Sequence, residues 1–239
     1  MRRYLPVLFL LLFGFAGCAM PAQHLPLKIN EYSQYKENVL EFSLFKSDQE
    51  VIGDEALNKI LSSQVRVPKE ARIAVLRLPG KHGGYFYAWF ESFQRMQQEY
   101  IDALTSKLSS SERVKKVTVL PSLVMPKEAS VPVLREAAVR LQADLLLVFQ
   151  VNSNIFSEYN FLEKDKAKAY STCEAVLIDV RSGVIPLTSI VTKHNISIQE
   201  KSDADMNETR ARAEKAAILS SLDVVGDKIL DFLKAVPEL

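Results

Sequence analysis

The residue best placed for chemistry is Cys18. It follows Phe15-Ala16-Gly17, the end of an apolar run that starts at Leu5 behind Arg2 and Arg3. Cleavage between Gly17 and Cys18 would leave an N-terminal cysteine. Its sulfur can carry a thioether-linked diacylglycerol and its amine a further acyl chain. Each buried methylene contributes ~0.8 kcal/mol, so two or three chains anchor durably. The apolar run is about 11 residues long, well short of the roughly 20 needed to span a bilayer, and reads as a removed leader. In the other reading, an ordinary secretory leader is cut near Ala22 and Cys18 is discarded.

Other reactive residues form weaker patterns. Gly80-Lys81-His82-Gly83-Gly84 sits between a strand-like and a helix-like segment, where a phosphate loop belongs. It has neither the Lys-Ser/Thr pair of a P-loop nor the glycine spacing of a dinucleotide fingerprint, so it reads as a flexible loop. His24, His82 and His194 fall in three different kinds of segment, with no metal-ligand spacing between them. No Gly-x-Ser-x-Gly elbow occurs, and carboxylate pairs such as Asp203 and Asp205 read as surface or helix-start charge. No catalytic, cofactor-binding or metal-binding residue is assigned, and the chain is expected not to be an enzyme.

Aromatic residues are in excess of what one core face needs. In Tyr85-Phe86-Tyr87-Ala88-Trp89-Phe90, a helix can bury Phe86 and Phe90 while Tyr85, Tyr87 and Trp89 point elsewhere. Phe156, Tyr159 and Phe161 interrupt a polar stretch at 152–166, which reads as a loop with exposed apolar tips. Aromatic rings with polar tips are common interface anchors, so Tyr85, Tyr87, Trp89, Phe156, Tyr159 and Phe161 are the candidate partner contacts.

Composition narrows the class. The 30 basic and 29 acidic residues become 28 and 29 once residues 1–17 are removed, which gives no pull toward nucleic acid. A hydrophobic content of 48% suits one sizeable core. With Cys18 lipidated only Cys173 remains, which excludes an intramolecular disulfide; in a strand-like run it reads as a small buried hydrophobe.

The elements that must position these residues follow from periodicity. Residues 18–50 read as lipidated cysteine and tether, with a short strand at 39–45. Ser47-Asp48-Gln49-Glu50 resembles a capping box ahead of a short helix. Arg72-Ile73-Ala74-Val75-Leu76-Arg77-Leu78 and the run from Leu145 to Val151 predict strands buried on both faces. Helical stripes run over 86–109 and 131–141, with a β-rich run at 114–120 between them. From Lys168 the pattern alternates, turns at Arg181-Ser182-Gly183, and alternates again through Ile190, Thr192, His194, Ile196 and Ile198, predicting an antiparallel hairpin. A long helix closes the chain from about Asp205 to Lys234. The expected fold is α/β, in two or three layers. A parallel β-α-β-α-β first half precedes the hairpin and C-terminal helix, in a single domain at 51–239 with its core at 72–235.

The leader with Gly17-Cys18 resembles a bacterial lipoprotein signal, and Ala19 rather than Asp after the cysteine resembles the pattern exported to the outer membrane. Three phrases resemble a superfamily that includes the curli secretion lipoprotein CsgG, the LpoB-type activators of penicillin-binding proteins, the exopolysaccharide lipoprotein PelC and the amino-terminal domain of TolB. They are Arg72-Ile73-Ala74-Val75-Leu76, Ala143-Asp144-Leu145-Leu146-Leu147-Val148 and Leu177-Ile178-Asp179-Val180-Arg181-Ser182-Gly183, within a likeness over about 72–233. The resemblance implies an outer-membrane, periplasm-facing lipoprotein that binds or assembles envelope machinery for export, polysaccharide or peptidoglycan. Its partners would be the membrane, through the acyl chains on Cys18, and an envelope protein. The alternatives are a self-associating ring component of a secretion system and a ligand-binding or hydrolytic lipoprotein. The 152–166 loop, short and charged at Glu158, Glu163, Lys164, Asp165 and Lys166, is not expected to supply membrane-spanning strands.

Overall fold

Runs that are apolar at every position must be covered on both sides, and here helices cover both faces of one sheet. A computed structural model describes residues 53–80, 90–121, 130–159 and 163–239. Cys18, Tyr85, Tyr87, Trp89 and Phe161 lie outside them, as do the expected tether, the strand at 39–45 and the capping box. The elements are α1 (Asp54–Ser62), β1 (Ala71–Arg77), α2 (Phe90–Ser109), β2 (Val114–Val119), α3 (Val131–Arg140), β3 (Leu145–Glu158), β4 (Lys166–Asp179), β5 (Leu187–Ile198) and α4 (Met206–Ala235). The sheet order is β2-β1-β3-β4-β5. Strand β1 runs parallel to β2 and β3, and β3-β4 and β4-β5 are antiparallel. This is the mixed α/β sheet with a closing helix that the periodicities predict.

Alternation along β1 and β3 divides the core in two. Ile73, Val75, Leu145, Leu147 and Phe149 pack with Tyr100, Leu104 and Leu108 of α2 and with Ile218, Leu222 and Val225 of α4. Ala74, Leu76, Leu146 and Val148 face the other way, onto Val131, Leu134 and Ala138 of α3. The result is three layers. Cys173 is fully buried in the first cluster, and burial pushes its thiol up to about 12, as expected of a packing residue.

Polar staples close the N-terminal end of β3, which we term basal. Asp144, immediately before β3, accepts the Arg72 backbone N–H and Nε at 3.0 Å each and Arg72 Nη2 at 3.1 Å. Its own N–H donates to the Arg72 carbonyl, and its carbonyl accepts from Val180. Burial alone would raise the Asp144 carboxyl, but the Arg72 donors hold it below the usual carboxylate range. A depressed carboxyl stabilises the fold fully above its unfolded value, about 3.9, and that contribution disappears as pH falls through the folded value. Asp144→Ala should cost about 1–2 kcal/mol at pH 7, because it removes the acceptor of three Arg72 donors, discounted for the partial exposure of the guanidinium. The deficit should shrink below about pH 4, read by urea unfolding at both pH values.

The structure corrects the reading of 152–166 as a loop. Strand β3 continues to Glu158 and β4 begins at Lys166, two oppositely charged residues directly paired across the hairpin. The period-2 signal is masked because two of the helix-facing residues are polar and one outward residue is aromatic: Ser153, Ile155 and Ser157 alternate with Asn152, Asn154 and Phe156. Small residues are needed there because α4 lies close. Ala167 and Ala169 meet Ala213 and Ala217, and the Ser171 and Ser221 hydroxyls sit 3.2 Å apart. The expectation that this segment supplies no membrane-spanning strands rested on its being a loop, so that ground is withdrawn.

Candidate functional site

Among the described residues, unequal helix lengths leave the distal part of one sheet face without a covering helix. The 30 residues of α4 extend about 45 Å, matching the roughly 46 Å of the 14-residue strands β3 and β4. Helix α3 has 10 residues, about 15 Å, and covers only the basal part of the opposite face. Beyond Val148 no described helix covers that opposite face, and the even-numbered residues of β3, β4 and β5 lie on it.

The polarity of β5 is inverted. Its helix-facing positions include Ser189 and Ser197, only 5% and 8% exposed, whereas Ile190, Ile196 and Ile198 on the open face are 71%, 54% and 49% exposed. Ordinary half-buried strands place apolar residues inward. Ile196 and Ile198 are neighbours on this face, with Thr192 and His194 between them and Ile190, and exposed apolar side chains grouped in this way mark an interaction site.

Rings extend this surface across the three strands. Tyr170 and His194 are direct cross-strand partners, with ring centroids 5.7 Å apart. Phe156 stands diagonally from Tyr170, edge-on at 85° and 6.0 Å, and Lys168 Nζ lies 4.8 Å from the Tyr170 ring centre. Such cross-strand contacts hold side chains in defined rotamers, which lowers the entropy cost of binding. Glu158, Lys166 and Glu174 are charged neighbours on the same face, and Thr172 and Thr192 share a hydroxyl hydrogen bond of 2.9 Å. An apolar centre with a polar rim is the anatomy of a protein interface.

The far end of the hairpin is pinned from behind. Arg210 of α4 donates through Nε to the Ser157 hydroxyl and through Nη2 to Tyr159 Oη at 3.0 Å. At the start of α4, Asp205 caps Asn207 and Glu208, and Asp203 accepts from Thr209, the Glu200 N–H and Arg212. The Arg212 guanidinium is the main reason the Asp203 carboxyl lies well below the usual range. The Asp203/Asp205 pair is thus used in helix capping.

Of the predicted contacts, Phe156 and Tyr159 are exposed, and Phe156 stands on a strand rather than a loop tip. Tyr85, Tyr87, Trp89 and Phe161 lie outside the described residues. Sequence reasoning missed Tyr170, His194 and the isoleucines as a surface, although the alternation from Ile190 to Ile198 was the available signal. Gly80 is closely packed: a Cβ there would lie 1.8 Å from the Val151 carbonyl oxygen. Behind the sheet, Glu214 is buried and accepts from the Ser153 hydroxyl. Tyr100 is pushed up by burial and, next, by the Glu214 charge. Among the described residues, no three His, Cys, Asp or Glu side chains come together to hold a metal ion.

No family model matches the sequence. No curated protein sequence matches it either. Solved structures do. The hypothetical protein CT253 from Chlamydia trachomatis is 12% identical, with 70% of this chain and 99% of that one covered and a TM-score of 0.42. Lipoprotein GNA1162 from Neisseria meningitidis is 13% identical, covering 67% and 99%, at a TM-score of 0.34. The LpoB C-terminal domain from Salmonella enterica is 11% identical, covering 57% and 90%, at a TM-score of 0.29. These likenesses concern the path of the chain alone and assign no family.

Proposed function

We propose that the chain is an outer-membrane lipoprotein, anchored through Cys18, whose single α/β domain at 51–239 is a non-enzymatic binding or assembly module of the bacterial envelope. The leader ending in Gly17-Cys18 supports the anchor. The observation that carries the module is the inverted polarity of β5, which exposes Ile190, Ile196 and Ile198 beside the Phe156-Tyr170-His194 ladder. A partner seated there gains about 25 cal/mol per Å² of apolar surface removed from water, on groups already held in place. The exposed Tyr159 and, by proposal, Tyr85, Tyr87, Trp89 and Phe161 extend the contact.

The test is a pair of surface charges. The double variant Ile190→Asp, Ile196→Asp should lose at least tenfold in recovery of envelope complexes on native gels of detergent extracts. Its melting temperature should fall by no more than a few degrees, because both side chains are exposed. Unchanged complexes would contradict the assignment of this face.

A second reading draws on the edge position of β5. Among the described strands β5 is the end of the sheet, and with 12 residues it offers an outer side to which a second copy can add its own β5. This is the self-associating alternative, in which the complexes contain only this chain.

A further inference from the structure

At the basal end, α1, α3 and the β4-β5 turn line a cleft of about 550 Å³, within the size range of small-ligand sites. Lys59 and Arg66 line one side, and Arg135 and Arg181 the other. The one carboxylate side chain in the lining, Asp179, already accepts the N–H and hydroxyl of Ser182. Leu239, the last residue of the sequence, lies in the same lining.

The cations are held differently on the two sides. Arg135 donates through Nε to the Val180 carbonyl at 3.1 Å and through Nη2 to the Arg181 carbonyl at 2.8 Å. The turn thus fixes its guanidinium without cancelling its charge. Gly183 makes room for it: at φ +78 it adopts a backbone suited to glycine, and a Cβ there would stand 2.9 Å from Arg135 Nη1. Arg181 reaches Asp144 at 3.5 Å but remains 60% exposed. Among the described residues, no hydrogen bond or ion pair engages the Lys59 or Arg66 side chain.

We infer that this cleft binds a phosphate-bearing ligand. Four cationic side chains facing one internally satisfied carboxylate require more than one negative charge. A phosphate monoester carries nearly two at pH 7 on three acceptor oxygens, and the guanidinium fork matches that geometry. Its source is either a free phosphate compound or a lipid headgroup that ends in a phosphate monoester.

The experiment uses the full chain in neutral-detergent micelles, titrated with inorganic pyrophosphate by calorimetry at low salt. In parallel, the chain lacking residues 1–18 is tested for flotation with phosphatidylcholine vesicles containing phosphatidic acid, whose headgroup is a phosphate monoester, against phosphatidylcholine alone. The Lys59→Gln, Arg66→Gln variant removes two exposed, unpaired cations and should fold normally; Lys193→Gln on β5 is the distant control. Pyrophosphate binding that falls at least tenfold in the double variant and holds in the control supports a free phosphate ligand. Vesicle capture with the same dependence, and no pyrophosphate binding, supports a headgroup. Absence of both, or binding indifferent to the double variant, overturns the inference.

Discussion

The Cys18→Ala chain is expected to vanish from the outer-membrane fraction and to persist as an uncleaved precursor that keeps residues 1–17. In the proposed anchor the sulfur is the atom to which the diacylglycerol is joined, so without it neither the thioether nor the cut before residue 18 would form. At ~0.8 kcal/mol per buried methylene, two or three acyl chains account for essentially all of the expected membrane affinity. No described helix is long and apolar enough to cross a membrane, so none of them replaces the anchor. Intact mass spectrometry of the wild-type chain should find an acylated N-terminus at Cys18. An unmodified chain beginning near Ala22 would show an ordinary secretory leader and refute the anchor.

Gly80→Ala should have the second largest effect. The added Cβ would stand 1.8 Å from the Val151 carbonyl oxygen and 2.8 Å from its carbon, well inside any van der Waals contact. The obstacle is backbone in the middle of β3, which no rotamer change can relieve, so either β3 shifts or the segment after β1 does. A loss of about 3 kcal/mol or more is expected, at the upper end for overpacking. In thermal unfolding this is a drop of roughly 10 °C for a domain of this size. A Gly80→Ala chain with unchanged stability would mean that this close approach does not exist in solution.

The two strands read most securely, β1 and the basal half of β3, are those with an uninterrupted apolar run, at 73–76 and 145–149, because burial on both faces leaves no ambiguity of phase. Helix α4 was equally legible, from its length and the capping acid Asp205. The distal half of β3 was not, since Ser153 and Ser157 flank Ile155 on the face that α4 approaches closely. There the usual equation of inward with apolar fails. Strand β5 shows the same effect: its period was evident, but which set faces the core depends on α4 and cannot be deduced from alternation alone. Phe156 stood out because it is aromatic in a polar segment. Tyr170 and His194 looked like ordinary strand residues until β3, β4 and β5 were set side by side. Gly80 was read as a flexible loop residue because a lone sequence does not show the Val151 carbonyl pressed against it.

The basal staples explain two of the phrases that carried the resemblance. Asp144 clamps β1 to β3, and Asp179 closes the turn through Ser182, so both phrases record architecture rather than chemistry. What distinguishes the molecule is the opposite end, where a long hairpin and β5 carry an apolar face beyond the reach of α3.

The claim that this face is the working surface is tested most directly by photo-reactive residues at Phe156 and Ile196 in the lipidated chain in living cells, with a control at the exposed Val139 on α3. Mass spectrometry then identifies the adducts. The account predicts one dominant envelope partner captured from Phe156 and Ile196 and not from Val139. Adducts of the chain with itself would replace that partner with a second copy. Equal capture from all three positions, or none from Phe156 and Ile196, would contradict the assignment.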